Sequence, residues 1–157
     1  MDTSAGTSTD TAATAGPVAQ TPPKQVWPGL GARDARALIA FLVEAFGFVE
    51  VCAYGEGDHV AHAELAWPEG GGVMLGSVKP DTGPESRDRQ PGTFGGYVAT
   101  DHPDELCERA RKAGAAIVRE LHETDYGSRD FSARDPEGNL WSFGTYRGEP
   151  HQAYART

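Results

Sequence analysis

The stretch Tyr126–Tyr146, YGSRDFSARDPEGNLWSFGTY, constrains the fold more than any other part of the chain. Its centre, Asp135-Pro136-Glu137-Gly138, has the chemistry of a type I turn. Asp suits the first position, Pro presets φ at the second, and Gly takes the left-handed conformation that closes a hairpin. On either side the residues alternate. Phe131 and Ala133 alternate with Asp130, Ser132 and Arg134; Trp141 and Phe143 alternate with Leu140, Ser142 and Gly144. A period of two marks strands whose two faces meet different surroundings.

The same sequence logic runs twice between Gln25 and Tyr146. A short strand leads to Asp34, a good helix N-cap, and Ala35, Leu38, Ile39, Leu42, Ala45 and Phe46 follow at helical spacing. Gly47 suits the left-handed residue that ends the helix. Strand-like runs follow at Phe48–Tyr54, His59–Trp67 and Gly72–Val78. The second copy opens with a strand from Phe94 to Asp101, then a helix started by Pro103, with His102 as punctuation. Its apolar stripe is Leu106, Cys107, Ala110 and Ala113, and Gly114 ends it. Strands follow at Ala116–His122, Ser128–Arg134 and Asn139–Thr145. Asp34 to Asp101 and Gly47 to Gly114 are both 67 positions apart. A shared offset across cap and stop argues for two β-α-β-β-β modules. The expected division is a disordered tail over 1–24, modules over 25–78 and 93–146, a linker over 79–92 and a polar tail over 147–157.

The DPEGN turn and its flanking strands resemble the closing hairpin of the glyoxalase/bleomycin-resistance family, the vicinal-oxygen-chelate superfamily. The resemblance spans about 120 residues, everything outside the tails. It implies an α+β fold in which two βαβββ modules form an incomplete barrel with a concave ligand cavity, often as a homodimer. It also implies a divalent ion held by His, Gln or Glu from the first and last strands of each module. Carried onto this chain, those positions fall on Trp27, Leu75, Phe94 or Gly95, and Ser142. None offers the carboxylate, imidazole or carbonyl oxygen that such ions need, so no metal and no other cofactor is expected there.

Composition narrows the partners. A net charge of −9 argues against a nucleic-acid surface, which needs clustered Lys and Arg. Nothing approaches the run of about 20 apolar residues that spans a membrane. The Thr-, Ala- and Ser-rich first 24 residues lack the basic start and apolar run of a signal peptide. Two cysteines, Cys52 and Cys107, without a CxxC spacing suit a reduced, cytoplasmic protein.

Trp27, Trp67, Phe94, Tyr97, Leu75 and Ser142 are therefore the expected ligand contacts, on an apolar, ring-lined face with a hydroxyl to orient a guest. Trp67 is the weakest, because its strand parity points it at the helix, and core filling is the alternative for each aromatic. Tyr54 and Tyr126 are further possible hydrogen-bond donors. His62 and Glu64, two apart in AHAEL, share a strand face opposite Ala61, Ala63, Leu65 and Trp67. They read as a structural hydrogen-bonded pair, as an acid–base pair, or as part of an off-pattern metal site. Asp135 and Asn139 are expected to bond the turn backbone, Arg129, Asp130 and Arg134 to form local ion pairs, and Cys107 to be an inert core thiol. The leading reading is a metal-free protein that sequesters a small aromatic natural product or antibiotic, as in self-resistance. The alternatives are a glyoxalase-like lyase, isomerase or dioxygenase using His62 and Glu64, and a scaffold with a filled cavity.

Overall fold

The structure, a computed structural model, describes residues 26–79 and 89–149. The expected tail over 1–24, most of the expected linker and the last residues of the chain lie outside the described residues.

The first module runs β1 (Gly29–Ala32), α1 (Ala35–Phe41) with a π-helical extension (Leu42–Phe46), β2 (Val49–Glu56), β3 (His59–Ala66) and β4 (Gly72–Ser77). The second runs β5 (Gly95–Ala99), α2 (Pro103–Lys112), β6 (Ala116–Glu123), β7 (Arg129–Arg134) and β8 (Leu140–Gly144). Each is the expected βαβββ unit. The sheets order as β1-β4-β3-β2 and β5-β8-β7-β6, with the first strand of each module parallel to the last. Among the described residues no strand pairing joins the two sheets, so they do not close into a barrel. Among the described residues no helix is long and apolar enough to cross a membrane.

The helices form where their caps permit. Asp34 accepts from the Ala37 amide at 3.0 Å, and Leu38, Ile39, Leu42, Ala45 and Phe46 bury the apolar stripe. Gly47 ends the helix at φ 82, a left-handed conformation that a side chain would strain. In the second module the N-cap is His102 rather than Asp101, without a side-chain cap bond, and Pro103 occupies the first turn.

The helix-facing sides of the two sheets share one core. Phe46 lies 4.7 Å from Phe143 and 5.8 Å from Trp141, and Phe48 lies 5.5 Å from Trp141, centroid to centroid. Polar bonds reinforce this joint. Trp67 Nε1 donates to the Ala99 carbonyl at 3.1 Å, and the Asp34 amide donates to Glu137 at 2.8 Å. Arg109, on α2, donates to the carbonyls of Glu44 at 2.7 Å and Val43 at 2.9 Å. It therefore caps the end of the other module's helix, where unsatisfied carbonyls attract a cation. Arg109→Ala is expected to lower stability by about 1–2 kcal/mol, because charge-assisted bonds are lost. Urea unfolding of both proteins, with an unchanged slope, checks this.

Candidate functional site

Because the core lies on the helix side, the opposite faces of both sheets look outward, and each carries a cavity. The first cavity, of about 540 Å³, is lined by Trp27, Gly31, His62, Met74, Lys79 and Arg89 among others. Of the three tryptophans only Trp27 is not buried. The second cavity, of about 550 Å³, is more polar and is lined by Tyr97, Arg119, Tyr126, Asp130, Ser132 and Ser142 among others.

The expected contacts divide between these surfaces and the core. Trp27 enters the first cavity; Tyr97 and Ser142 enter the second, as cross-strand neighbours on β5 and β8. The other three belong largely to the core. Leu75 is buried, 3% exposed, and only touches the floor of the first cavity. Phe94 packs 5.0 Å from Trp141 and against the core, while its neighbour Gly95 is exposed. Trp67 is buried against Phe48 and tied to Ala99, a joint between modules that enters neither outward cavity. The reason for Leu75 is register. The helix ends correspond at an offset of 67, but Gly29, Gly31, Met74 and Gly76 correspond to Gly95, Tyr97, Leu140 and Ser142 at 66, and a strand that slips by one residue exchanges faces. The residues of β4 that share the outward face with Ser142's counterpart are therefore Met74 and Gly76, not Leu75.

This register permits a test of the metal that the resemblance implies. The outward positions of β1, β4, β5 and β8 are Gly29, Gly31, Met74, Gly76, Gly95, Tyr97, Leu140 and Ser142. Their side chains supply one thioether, one phenol and one hydroxyl, and no carboxylate or imidazole. That set does not fit a hard or borderline divalent ion.

The polar chemistry of the second cavity is organised by Asp130. It is buried on β7, 8% exposed, and accepts hydrogen bonds from Ser128 and, at 3.1 Å, from the Tyr126 hydroxyl. The bond to Asp130 holds the Tyr126 phenol above its usual pKa. Tyr126 also meets Tyr146 edge-on at 5.6 Å. Ser132 and Ser142 share a 2.9 Å hydrogen bond across the β7–β8 ladder. The expected local ion pairs around the turn are replaced by others: Arg129 reaches Asp104 on α2 at 2.7 Å and Glu123 on β6 at 3.0 Å. Arg134 instead caps the turn through the Gly138 carbonyl. Cys107 is buried, and burial raises its thiol pKa, as expected of a core cysteine.

His62 and Glu64 do share the outward face of β3. The imidazole Nε2 stands 3.1 Å from Glu64 Oε1, and the Tyr54 ring stacks over His62 at 6.5 Å and 11°. Sequence reasoning missed Cys52, which stands directly across the ladder from Glu64, and Met74, which pairs with Glu64 on the other side.

Comparison with known proteins agrees with this architecture. The Glyoxalase/Bleomycin resistance protein/Dioxygenase superfamily model matches residues 13–143. Among solved structures, TioX from Micromonospora sp. ML1 is 29% identical with a TM-score of 0.64, covering 77% of this chain and 97% of its own. A glyoxalase/bleomycin resistance protein from Streptomyces sp. CB03234 is 27% identical with a TM-score of 0.56, covering 73% of this chain and 94% of its own. UcmS2, at 21% identity and a TM-score of 0.63, covers 80% of this chain and 100% of its own and shares the fold. No curated protein matches the sequence. With the family model spanning most of the chain and the βαβββ repeat present in both halves, the protein belongs to the glyoxalase/bleomycin resistance/dioxygenase superfamily.

Proposed function

We propose that this protein is a small-molecule-binding member of the superfamily, which sequesters a planar aromatic natural product, an antibiotic among the candidates, and breaks no bond in it. One observation carries the reading. Where the superfamily's ion would sit, the outward strand positions carry glycines, Met74, Leu140, Tyr97 and Ser142, while Trp27 and Tyr126 stand beside them. Ring faces and hydroxyls bind a flat guest through stacking and a few directional bonds. The 27% identical Streptomyces protein, described as a glyoxalase/bleomycin resistance protein, is compatible with the same direction. The contacts are Trp27 in the first cavity, and Tyr97, Tyr126 and Ser142 in the second. The exposed Val49, Val51, Tyr54 and Val118, on the edge strands β2 and β6, suit a homodimer that would cover them, which light scattering tests.

Titration with bleomycin and a panel of fused-ring antibiotics tests binding. A true ligand quenches Trp27 emission at near-stoichiometric concentration, and Trp27→Ala weakens it about tenfold, the order of one lost stacking contact with its buried area. Unchanged affinity in that variant would remove Trp27 from the site. The paired imidazole and carboxylate of His62 and Glu64 favour a second reading, a lyase, isomerase or dioxygenase. Mass spectrometry of the compound recovered after denaturation separates the two: sequestration returns it intact.

A further inference from the structure

We propose that Cys52, His62 and Glu64 form a zinc site on the outer face of the first sheet, away from the strand positions the superfamily uses for its ion. The β2–β3 ladder brings them together. His62 and Glu64 are two apart on β3 and so point the same way, and Cys52 on β2 sits directly opposite Glu64. One ligand atom from each lies within 4.8 Å of the other two. A tetrahedral zinc, with bonds of 2.0–2.3 Å, needs its ligand atoms about 3.5 Å apart. His62 Nε2 and Glu64 Oε1 are already 3.1 Å apart. The remaining closure falls on the short Cys52 side chain and on two side chains that are 42% and 30% exposed, so rotamer changes suffice.

The donor set selects the ion. A thiolate, an imidazole and a carboxylate are a mixed soft and borderline set that suits zinc; calcium and magnesium favour oxygen alone. The His62–Glu64 hydrogen bond shows where the ion would go, because a proton now bridges the two atoms that would hold it. Binding moves that proton off Nε2, to Nδ1 in the neutral ring, and releases the Cys52 thiol proton. Tyr54, stacked on the imidazole, fixes the ring plane. Three protein ligands leave a fourth position open. His62 also lines the cavity that holds Trp27 and Met74, so the open position lies at the edge of that cavity and can take a donor atom from a guest.

The site is tested with metal alone, so its failure and the failure of the binding reading are separable. Reduced, metal-stripped full-length protein is titrated with cobalt(II), which reports a thiolate ligand by a sulfur-to-cobalt charge-transfer band in the near ultraviolet. The expected result is one equivalent bound, with the band, and displacement by one equivalent of zinc. Cys52→Ser removes the band. His62→Ala weakens binding at least about a hundredfold, as loss of a direct ligand should exceed loss of an outer-shell partner. Cys107→Ser leaves both unchanged, because that thiol is buried elsewhere. No band at any cobalt concentration, a band that survives Cys52→Ser, or one that disappears in Cys107→Ser overturns the site.

Discussion

Asp135→Ala is expected to destabilise the protein by about 3–5 kcal/mol, the range for uncovering a buried, charge-bonded group. The carboxylate is buried, 5% exposed, at the first position of the DPEG turn. Oδ1 accepts from the amides of Glu137 at 2.9 Å and Asn139 at 3.0 Å. Oδ2 accepts from Asn139 Nδ2 at 2.8 Å and from the indole Nε1 of Trp141 at 2.9 Å. Alanine leaves four donors facing no acceptor, two of them on the buried Asn139 and Trp141 side chains. Each such group costs about 1–3 kcal/mol where water cannot reach it. The damage spreads, because Asn139 Oδ1 holds the Phe94 amide at 3.0 Å and so fixes the entry to β5, which carries Tyr97. Asp135→Asn, which keeps one good acceptor, should lose roughly half as much. Urea unfolding followed by tryptophan emission measures both. A loss below about 1 kcal/mol in the alanine variant would mean that water or a shifted side chain serves these donors.

That turn also shows why so much of the fold is legible in the sequence. Asp, Pro, Gly and Asn act within a few residues of themselves, and the strands beside them alternate because one face is buried and the other is not. The helix of the first module is equally local, from the Asp34 cap to Gly47. The site is less legible, because it depends on register. A two-residue turn at Gly57-Asp58 pairs Glu56 with His59 and Gly55 with Val60. Continued without interruption, that count sets Cys52 against Ala63. A bulge between Tyr54 and Gly55 shifts the ladder by one, and Cys52 meets Glu64 instead. Gly55 allows the shift: at φ 146 its Cβ position would lie 2.0 Å from the His59 carbonyl oxygen. Nothing in the composition of β2 announces such a bulge. The place of Leu75 depends on register in the same way. Helix ends transfer between modules at an offset of 67, but β1 and β4 map onto β5 and β8 at 66, and a slip of one residue exchanges a strand's faces. Phe94 and Trp67 show a third limit, since aromatic residues suit a cavity wall and a core equally well, and only packing decides.

Phe46→Ala is expected to cost about 3–5 kcal/mol, and to do so in one cooperative transition rather than by loosening one module. Phe46 is fully buried at the end of the first helix. Its ring meets Phe41 at 5.2 Å within its own module, and Phe143 at 4.7 Å and Trp141 at 5.8 Å in the other. Removing it opens a cavity where two layers of side chains interdigitate, and stiff aromatic neighbours collapse into such a space poorly. Leucine at this position, which refills most of the volume, should cost about 1–2 kcal/mol. The cooperativity follows from what crosses the same joint. Trp67 reaches Ala99, Glu137 holds the Asp34 amide, and Arg109 caps the first helix from the second. A module that opened alone would break these bonds and expose the rings of Phe46, Phe48, Trp141 and Phe143 to water, so neither half has a low-energy way to unfold separately. Calorimetry and tryptophan emission should therefore give coincident transitions in Phe46→Ala, at a lower temperature than in the parent. Two separated transitions would show that the modules are independent folding units, and that the outward cavities are carried by two bodies able to move apart.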